Sequence, residues 1–562
     1  MAIDADVREK KSGGVDGSGL RQKSRESRLE TEAEMMQAQQ PLVAKDEEAL
    51  EVRVANEEED GEGDGEGGSK LPFSKARCIA LVLTVTCAAF LNTLGVQASV
   101  IILPTIGRHL NIPDSRQQWI VSAYNLTFGC FLLLWGRLAD VYGKRLIFIW
   151  GSVWITVTSV IVPFMPNEIG FDVFRGLQGL GAAAMVPTAL GILGVTFKPG
   201  KAKNYAFSCY GAGAPLGAVF GNIFGGVLGE YLDWQWVFWI FAILGLLITV
   251  AGYYVIPLPP LQTEPISMRH DVDWIGGTLV TSGILILLFA LTEGNVVGWK
   301  TPWVPTLIAI SILIIVIFVV WQHYLEKKGQ RKPLMKVSIF KNKQFSAAII
   351  IMLLFFASFN NFLITVTYWF QDYQGLSVIQ STIKFIPTGV TGCIVAFITA
   401  HLLSRVRGDT ILVFGTFAVS ISSLLMAIPI PTTTSYWAYI FPAMILSTCG
   451  ADTLFPILTL FTAKSLPAED QALGGALINA VGQIGRAIGL AIMTAVQTAI
   501  MAKKLDVGVE TIGGEGWETQ PGDEALKVGL RGASYFNAGI AVVAVVVAMV
   551  FFRGAGKVGG KH

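Results

Sequence analysis

The chain has 562 residues, 52% of them hydrophobic and 15% charged, with a formal net charge of +1. A soluble globule carries about 25% charged residues, and a nearly neutral chain has no electrostatic footprint for a nucleic acid. The composition therefore excludes an ordinary soluble domain and a nucleic-acid partner and points to a membrane.

Residues 1–76 are polar and acidic, with "NEEEDGEGDGEGG" at 56–68. Low hydrophobicity and high charge cannot offset the entropy of ordering, so this segment is predicted to be a disordered cytosolic tail. It has no apolar core behind a basic start, so it is not read as a signal peptide.

Beyond residue 76 the chain consists of apolar runs separated by short polar loops. A run of about 20 apolar residues can cross a bilayer core as a helix. Fourteen such spans are predicted, near 79–106, 118–136, 146–166, 169–196, 204–228, 235–256, 273–293, 302–324, 345–371, 376–402, 409–430, 434–462, 471–500 and 534–552. Loops after even-numbered spans hold most of the basic residues, among them Arg137, Lys144, Arg145, Lys203, Lys336, Arg405, Arg407 and Lys464. The positive-inside rule places those loops in the cytosol. Both termini are then cytosolic, with a short tail at 554–562 and one long outer loop at 501–533.

The second span ends in "GRLADVYGKR" (136–145). Gly136 and Gly143 permit a tight turn with close backbone approach. Asp140 is expected to face the positive N-terminal end of a helix in the other half, or a nearby Arg, and so to close the cytosolic side. Gly136, Arg137, Asp140, Gly143, Lys144 and Arg145 form this expected latch. The matching turn "SRVRGDT" (404–410) keeps Gly408 but lacks an Asp at that position, so the latch is expected on one side only.

In the fifth span Gly213, Gly217, Gly221, Gly225 and Gly229 recur every four residues, with Gly226 beside them. They stay near one face, drifting by about 40° per step. A glycine stripe lets another helix approach backbone to backbone. Plain packing explains it, and so does a sliding seam between the two halves; the second is the expectation, because the stripe runs nearly the whole helix.

Ionisable residues inside spans are costly and usually face a cavity. Arg175, Asp452 and Arg486 are the proton-coupling candidates. Asp452 and Arg486 could instead be a static ion pair. Candidate substrate contacts are Tyr124 and Asn125, Gln178, the pair Asn360 and Asn361 with Tyr368 and Gln371, and Asn479 with Gln483, which share a stripe with Arg486. The two asparagines could equally be glue between helices. A substrate cannot be read, although two buried arginines against one clear aspartate hint at acidic compounds.

The six cysteines lie in or beside apolar spans, so no structural disulfide is expected, and none clusters with metal-ligand spacing. There is no Walker A string, nucleophile elbow or HExxH. The chain is therefore read as a non-enzyme without cofactor or metal, driven by a gradient.

Three strings in order resemble signatures of the major facilitator superfamily. They are "GRLADVYGKR", "RGLQGLGAAAMVP" (175–187) and "DWQWVFWI" (233–240). With fourteen spans they resemble its 14-helix drug:proton antiporter branch. "FLNTLGVQASVIILP", "STCGADTLFP" and "LPAEDQALGGALINAVGQ" resemble the fungal aminotriazole-resistance and metabolite-efflux group.

The resemblance covers roughly 77–553. It implies an all-α polytopic protein with two six-helix bundles, at 77–256 and 345–553, and two inserted helices with a basic cytosolic loop at 257–344. It implies a proton-coupled exporter of a drug, toxin or secondary metabolite, working by alternating access as a monomer, with the plasma membrane favoured over the vacuole. A proton-coupled importer of siderophores or nutrients, or a membrane sensor without transport, are the alternatives. The sequence departs from the group's pattern at Gly95, where many members carry an Asp, at Asn222, where the antiporter signature has Pro, and at Gln235, where the group has Arg. With Gly95 in place of the carboxylate, Asp452 becomes the best central proton carrier. Its proton affinity would change as Arg486 or Arg175 approaches and withdraws.

Overall fold

Each apolar run of bilayer length folds as a helix, because in a membrane every backbone polar group must be satisfied within the chain. The computed structural model describes residues 72–112, 119–198, 200–258, 272–329, 333–428, 435–466, 470–509, 512 and 520–553. Among the described residues, fourteen helices are long and apolar enough to span a bilayer. They are α1 (Lys75–Ile101), α2 (Trp119–Tyr142), α3 (Lys144–Ile161), α4 (Glu168–Thr196), α5 (Lys201–Tyr231), α6 (Gln235–Val255) and α7 (Trp274–Val297). The rest are α8 (Trp303–Lys328), α9 (Lys343–Tyr368), α10 (Val378–Arg405), α11 (Gly408–Ala427), α12 (Ile440–Ser465), α13 (Gln471–Leu505) and α14 (Glu524–Phe551). The expected tail at 1–76 lies, up to residue 71, outside the described residues, as do most of the linker after α6 and the segment 554–562.

Two boundaries differ from expectation for physical reasons. The first span stops at Ile101, and a separate short helix Leu103–His109 follows with Pro104 in its first turn. Proline lacks the N–H that a continuing helix needs, so it begins a new one instead. The expected outer loop 501–533 is shorter, because α13 runs on to Leu505 and α14 already starts at Glu524. These added turns carry Lys503, Lys504, Lys527 and Arg531, whose polarity hides them from a hydropathy reading; Asp523 caps α14 through Ala525 N.

Helices α1–α6 form one bundle and α9–α14 the other. Within the first, α4 is the most enclosed span, with 83% of its apolar window buried; α8, at 17%, lies at the periphery. The inserted pair α7–α8 is held together by Asp273, which caps α7 through Gly276 N at 2.9 Å. The same carboxylate accepts from Trp321 Nε1 at 3.0 Å and Gln322 Nε2 at 2.6 Å, both on α8. The pair leans on α2, where Glu293 of α7 accepts from Trp119 Nε1 at 3.1 Å.

The glycine stripe of α5 corrects the seam expectation. A methyl group placed on Gly213 would lie 2.7 Å from Thr86 O, on Gly221 2.7 Å from Leu94 O, and on Gly225 2.9 Å from Ala98 Cα. Gly217 meets Phe90 O still more closely, and Gly229 meets Ile102. All of these belong to α1 or its immediate end, in the same bundle. The stripe packs α5 on α1 and is not the surface between the bundles. Gly226 faces open space.

Candidate functional site

The end of the molecule that carries the loops after even-numbered spans is here called the basic end. There α2 runs against the start of α13. Gly136 makes this possible, since a Cβ on it would sit 2.5 Å from Ala476 Cβ and 3.1 Å from Ala472 O. Gly143, between α2 and α3, has φ +105°, in the region that favours glycine, and lets the chain reverse at once.

The first turn of any helix leaves backbone N–H groups without intrahelical partners. In α13 two of these are satisfied from the other bundle. Leu473 N donates to Asp140 Oδ2 at 2.8 Å and Ala472 N to Asp140 Oδ1 at 3.2 Å. The residue that precedes α13, Asp470, makes no capping bond. It accepts instead from Arg137 Nη1 of α2 at 3.0 Å. Each bundle thus sends a carboxylate to the other, and the two contacts form a reciprocal clasp. Lys144 Nζ lies 2.7 Å from Asp140 Oδ1. The Asp140 side chain is 2% exposed, so water does not compete for these bonds.

Five of the six expected latch residues are brought together here. Arg145 is not among them. Its guanidinium donates to Tyr253 O and lies over the Tyr253 ring at 5.3 Å, so it ties α3 to α6 within one bundle. In the second half, Arg407 pairs locally with Asp409 at 2.8 Å. A helix N-terminus of the other half was expected opposite Asp140, but not which helix, and Asp470 was not foreseen; the acidic "AED" string before α13 was the available signal for it.

Further contacts between the bundles lie at the basic end and at mid-depth. Gly191 of α4 meets Ala472, and Gly475 of α13 meets Leu190. On α5 the face toward the other bundle carries Gly211, against Pro456, then Pro215 and Val219, against Gly392 and Gly389 of α10. On α2, Gly129 meets Gln483 Cβ. This conformer is closed at the basic end.

Asp452 on α12 lies behind that α5–α10 contact. It is 5% exposed, its Oδ2 has no hydrogen-bond partner among the described residues, and the same atom abuts Gly392. Arg486 is not paired with it. Its guanidinium lies 4.5 Å above the Phe356 ring, and that ring packs on Phe455, one turn along α12 from Asp452. A static Asp452–Arg486 pair is therefore absent from this conformer among the described residues: Arg486 lies on Phe356, and Asp452 Oδ2 lies against Gly392.

Arg175 belongs elsewhere. It is 1% exposed inside the first bundle, where Nε donates to Ile120 O at 2.8 Å and Nη1 to Gln178 Oε1 at 2.7 Å. Gln178 passes the network to Ser159 at 2.8 Å, and the Tyr124 ring lies 5.0 Å below the guanidinium. Tyr124 itself donates to Asn92 at 2.6 Å. Arg175, Gln178 and Tyr124 thus form a buried polar knot that joins α1, α2, α3 and α4. In this conformer these side chains, expected at the proton-coupling and substrate sites, are held by contacts within the first bundle, with Arg175 Nη2 buried and unpartnered among the described residues.

Asn361 is likewise held by contacts within the second bundle. It is fully buried and donates to Asn537 Oδ1 at 3.1 Å, while Ser358 donates to Asn537 O at 3.0 Å, which ties α9 to α14. Its neighbour Asn360 is only partly buried, as are Asn125, Gln371, Asn479 and Gln483. Tyr368, 38% exposed, is the most open of the candidates. Among the described residues no cluster could hold a metal ion, and the six cysteines are free thiols.

A sequence profile described as Major Facilitator Superfamily matches residues 85–490. The low affinity ammonium transporter of Saccharomyces cerevisiae is 32% identical over 423 residues, covering 74% of this chain and 81% of the relative. The efflux pump terJ of Aspergillus terreus is 26% identical over 488 residues, covering 86% and 89%. The aminotriazole resistance protein of Saccharomyces cerevisiae is 26% identical over 483 residues, covering 84% and 83%. The crystal structure of the human organic anion transporter MFSD10 (TETRAN) aligns with a TM-score of 0.59 at 12% identity, covering 84% of this chain and 99% of that one. With the profile match over most of the chain, and with fourteen helices able to span a bilayer among the described residues, twelve of them in two bundles, the chain belongs to the major facilitator superfamily and is a multi-pass membrane transporter, not an enzyme.

Proposed function

We propose that the protein exports small organic molecules in exchange for protons, by alternating access, with its basic end and both termini in the cytosol. The reciprocal clasp of Asp140 on the start of α13 and Arg137 on Asp470 carries this reading. It joins the bundles only through groups at their surfaces, so it can break without unfolding either one. When closed, it opens the path toward the outer face; when broken, it exposes the path to the cytosol. The similarity to efflux pumps supports the direction, and a plasma-membrane location and a monomer agree with it.

Asp452 is the proposed proton carrier. It sits where an ionised carboxylate would face Gly392 and the α5–α10 contact without a partner. A change of conformation that offers it water or a cation links deprotonation to the separation of these helices. Uptake of a small cation is the second reading, favoured by the ammonium relative; Arg486, in mid-span and without an ion-pair partner among the described residues, speaks against it. A sensor without transport has no support from this geometry.

The test is transport by the purified chain in liposomes under an imposed pH gradient, with a panel of lipophilic acids, amines and neutral compounds. The reading requires at least one compound to accumulate against its gradient when protons run the other way. Movement that ignores the pH gradient would remove proton coupling, and inward accumulation with protons would reverse the direction.

A further inference from the structure

We propose that Arg486 is the anion-recognition group of the transport path, so that the transported compound carries a carboxylate or similar negative group beside a flat apolar body. This rests on the transporter reading. Arg486 lies fifteen residues into α13, about 22 Å along the helix axis at 1.5 Å per residue. That is too deep for its head to reach the headgroups, and intramembrane cations normally pair with a counter-charge.

The two mid-span arginines are treated very differently by the fold. Arg175 is enclosed and makes two hydrogen bonds, Nε to Ile120 O and Nη1 to Gln178, with only Nη2 left buried and unpartnered. Arg486 makes no hydrogen bond or ion pair among the described residues, its Nε is buried without a partner, and the residue remains partly open. Among the described residues no carboxylate lies within ion-pair distance of it. From α9 come Phe356 and, on the glycine side of α13, Leu353 and Ala357. From α12 comes Phe455, packed on Phe356. From α2 comes Gly129, against Gln483 one turn away.

A planar guanidinium held over a ring, with its outer edge free, presents parallel donors that match a carboxylate in bidentate geometry. The ligand's negative group supplies the missing counter-charge. The partly open Phe359, which is stacked on Phe355 at 5.6 Å, offers aromatic surface for the ligand body. Gln483 and Asn360, also partly open, offer amide groups nearby.

The test measures binding of 1-naphthoate, its neutral isostere 1-naphthamide, 1-naphthylmethylammonium and chloride to the full-length chain in nanodiscs. The proposal expects naphthoate to bind at least about tenfold tighter than the amide. Arg486→Gln should erase that preference while keeping amide affinity, and Arg486→Lys should retain part of it and serve as the folding control. Equal or weaker binding of naphthoate than of the amide or the amine overturns the proposal. So does a preference that survives in folded Arg486→Gln, or occupancy by chloride alone. The same probes are then followed in liposomes under a pH gradient. Binding with charge preference but no flux removes the transporter reading and leaves the site, whereas flux without charge preference removes the site and leaves the transporter.

Discussion

Asp140 performs for α13 the capping task that Asp470, the residue at that helix's own start, leaves undone. Hydrogen bonds to a charged group contribute about 1.5–3 kcal/mol, a roughly 10–150-fold shift in a two-state equilibrium. Asp140→Asn should therefore insert and fold normally yet lower transport by about 10–100-fold, because the closed state loses its clasp. Transport at equal protein density in liposomes checks this, and near-normal flux would remove the latch role. Arg137 and Asp470 should behave as a pair: each single alanine variant slows cycling, and the exchange Arg137→Asp with Asp470→Arg restores part of it, measured as a double-mutant cycle. At Asp452 the expectation is a split of functions. Asp452→Asn should keep substrate binding and exchange but lose accumulation driven by the pH gradient, and its exchange rate should no longer vary with pH. Uphill, pH-dependent export by the folded variant would send the proton by another route.

At the scale of the element, periodicity reveals a face but not the neighbour that covers it. The four-residue glycine repeat of α5 announced a close helix contact, and the contact exists; its partner is α1, which no local pattern could name. The contact with the other bundle uses the other side of α5, where Pro215 and Val219 meet Gly392 and Gly389, residues without any repeat. The two surfaces should respond differently to bulk. Gly221→Leu should drive a side chain into Leu94 and lower the yield of folded protein, read from size-exclusion profiles. Gly389→Leu should give folded protein that binds ligand but cycles slowly, since it wedges the bundles at mid-depth. Folded, fully active Gly389→Leu would show that α5 and α10 do not separate in the cycle. Helix ends were the least legible feature. Polar first turns such as "EALKVGLR" of α14 do not stand out by hydropathy, although Asp523 before them is an ordinary cap.

For the whole molecule, the number and order of spans were legible because each apolar run has the length a bilayer sets. The end of the molecule at which the bundles clasp was legible from "GRLADVYGKR", where charge and glycine coincide. The clasp's partners were not, because they lie more than three hundred residues away and two are backbone amides. Buried polar residues were legible as expensive, but sequence does not distinguish Arg175, hydrogen-bonded inside one bundle, from Arg486, which makes no hydrogen bond among the described residues. That difference arises only when the neighbouring helices are in place. The account as a whole claims that the clasp opens and recloses as the protein works. The most direct measurement is the distance between spin labels at Tyr142→Cys, at the end of α2, and Arg405→Cys, at the end of α10, in a variant lacking the native cysteines. The account predicts a short-distance population that gives way to a longer one as pH and substrate are varied, and a predominantly long one in Asp140→Asn. A single distance, unchanged by pH, by substrate and by Asp140→Asn, would contradict it.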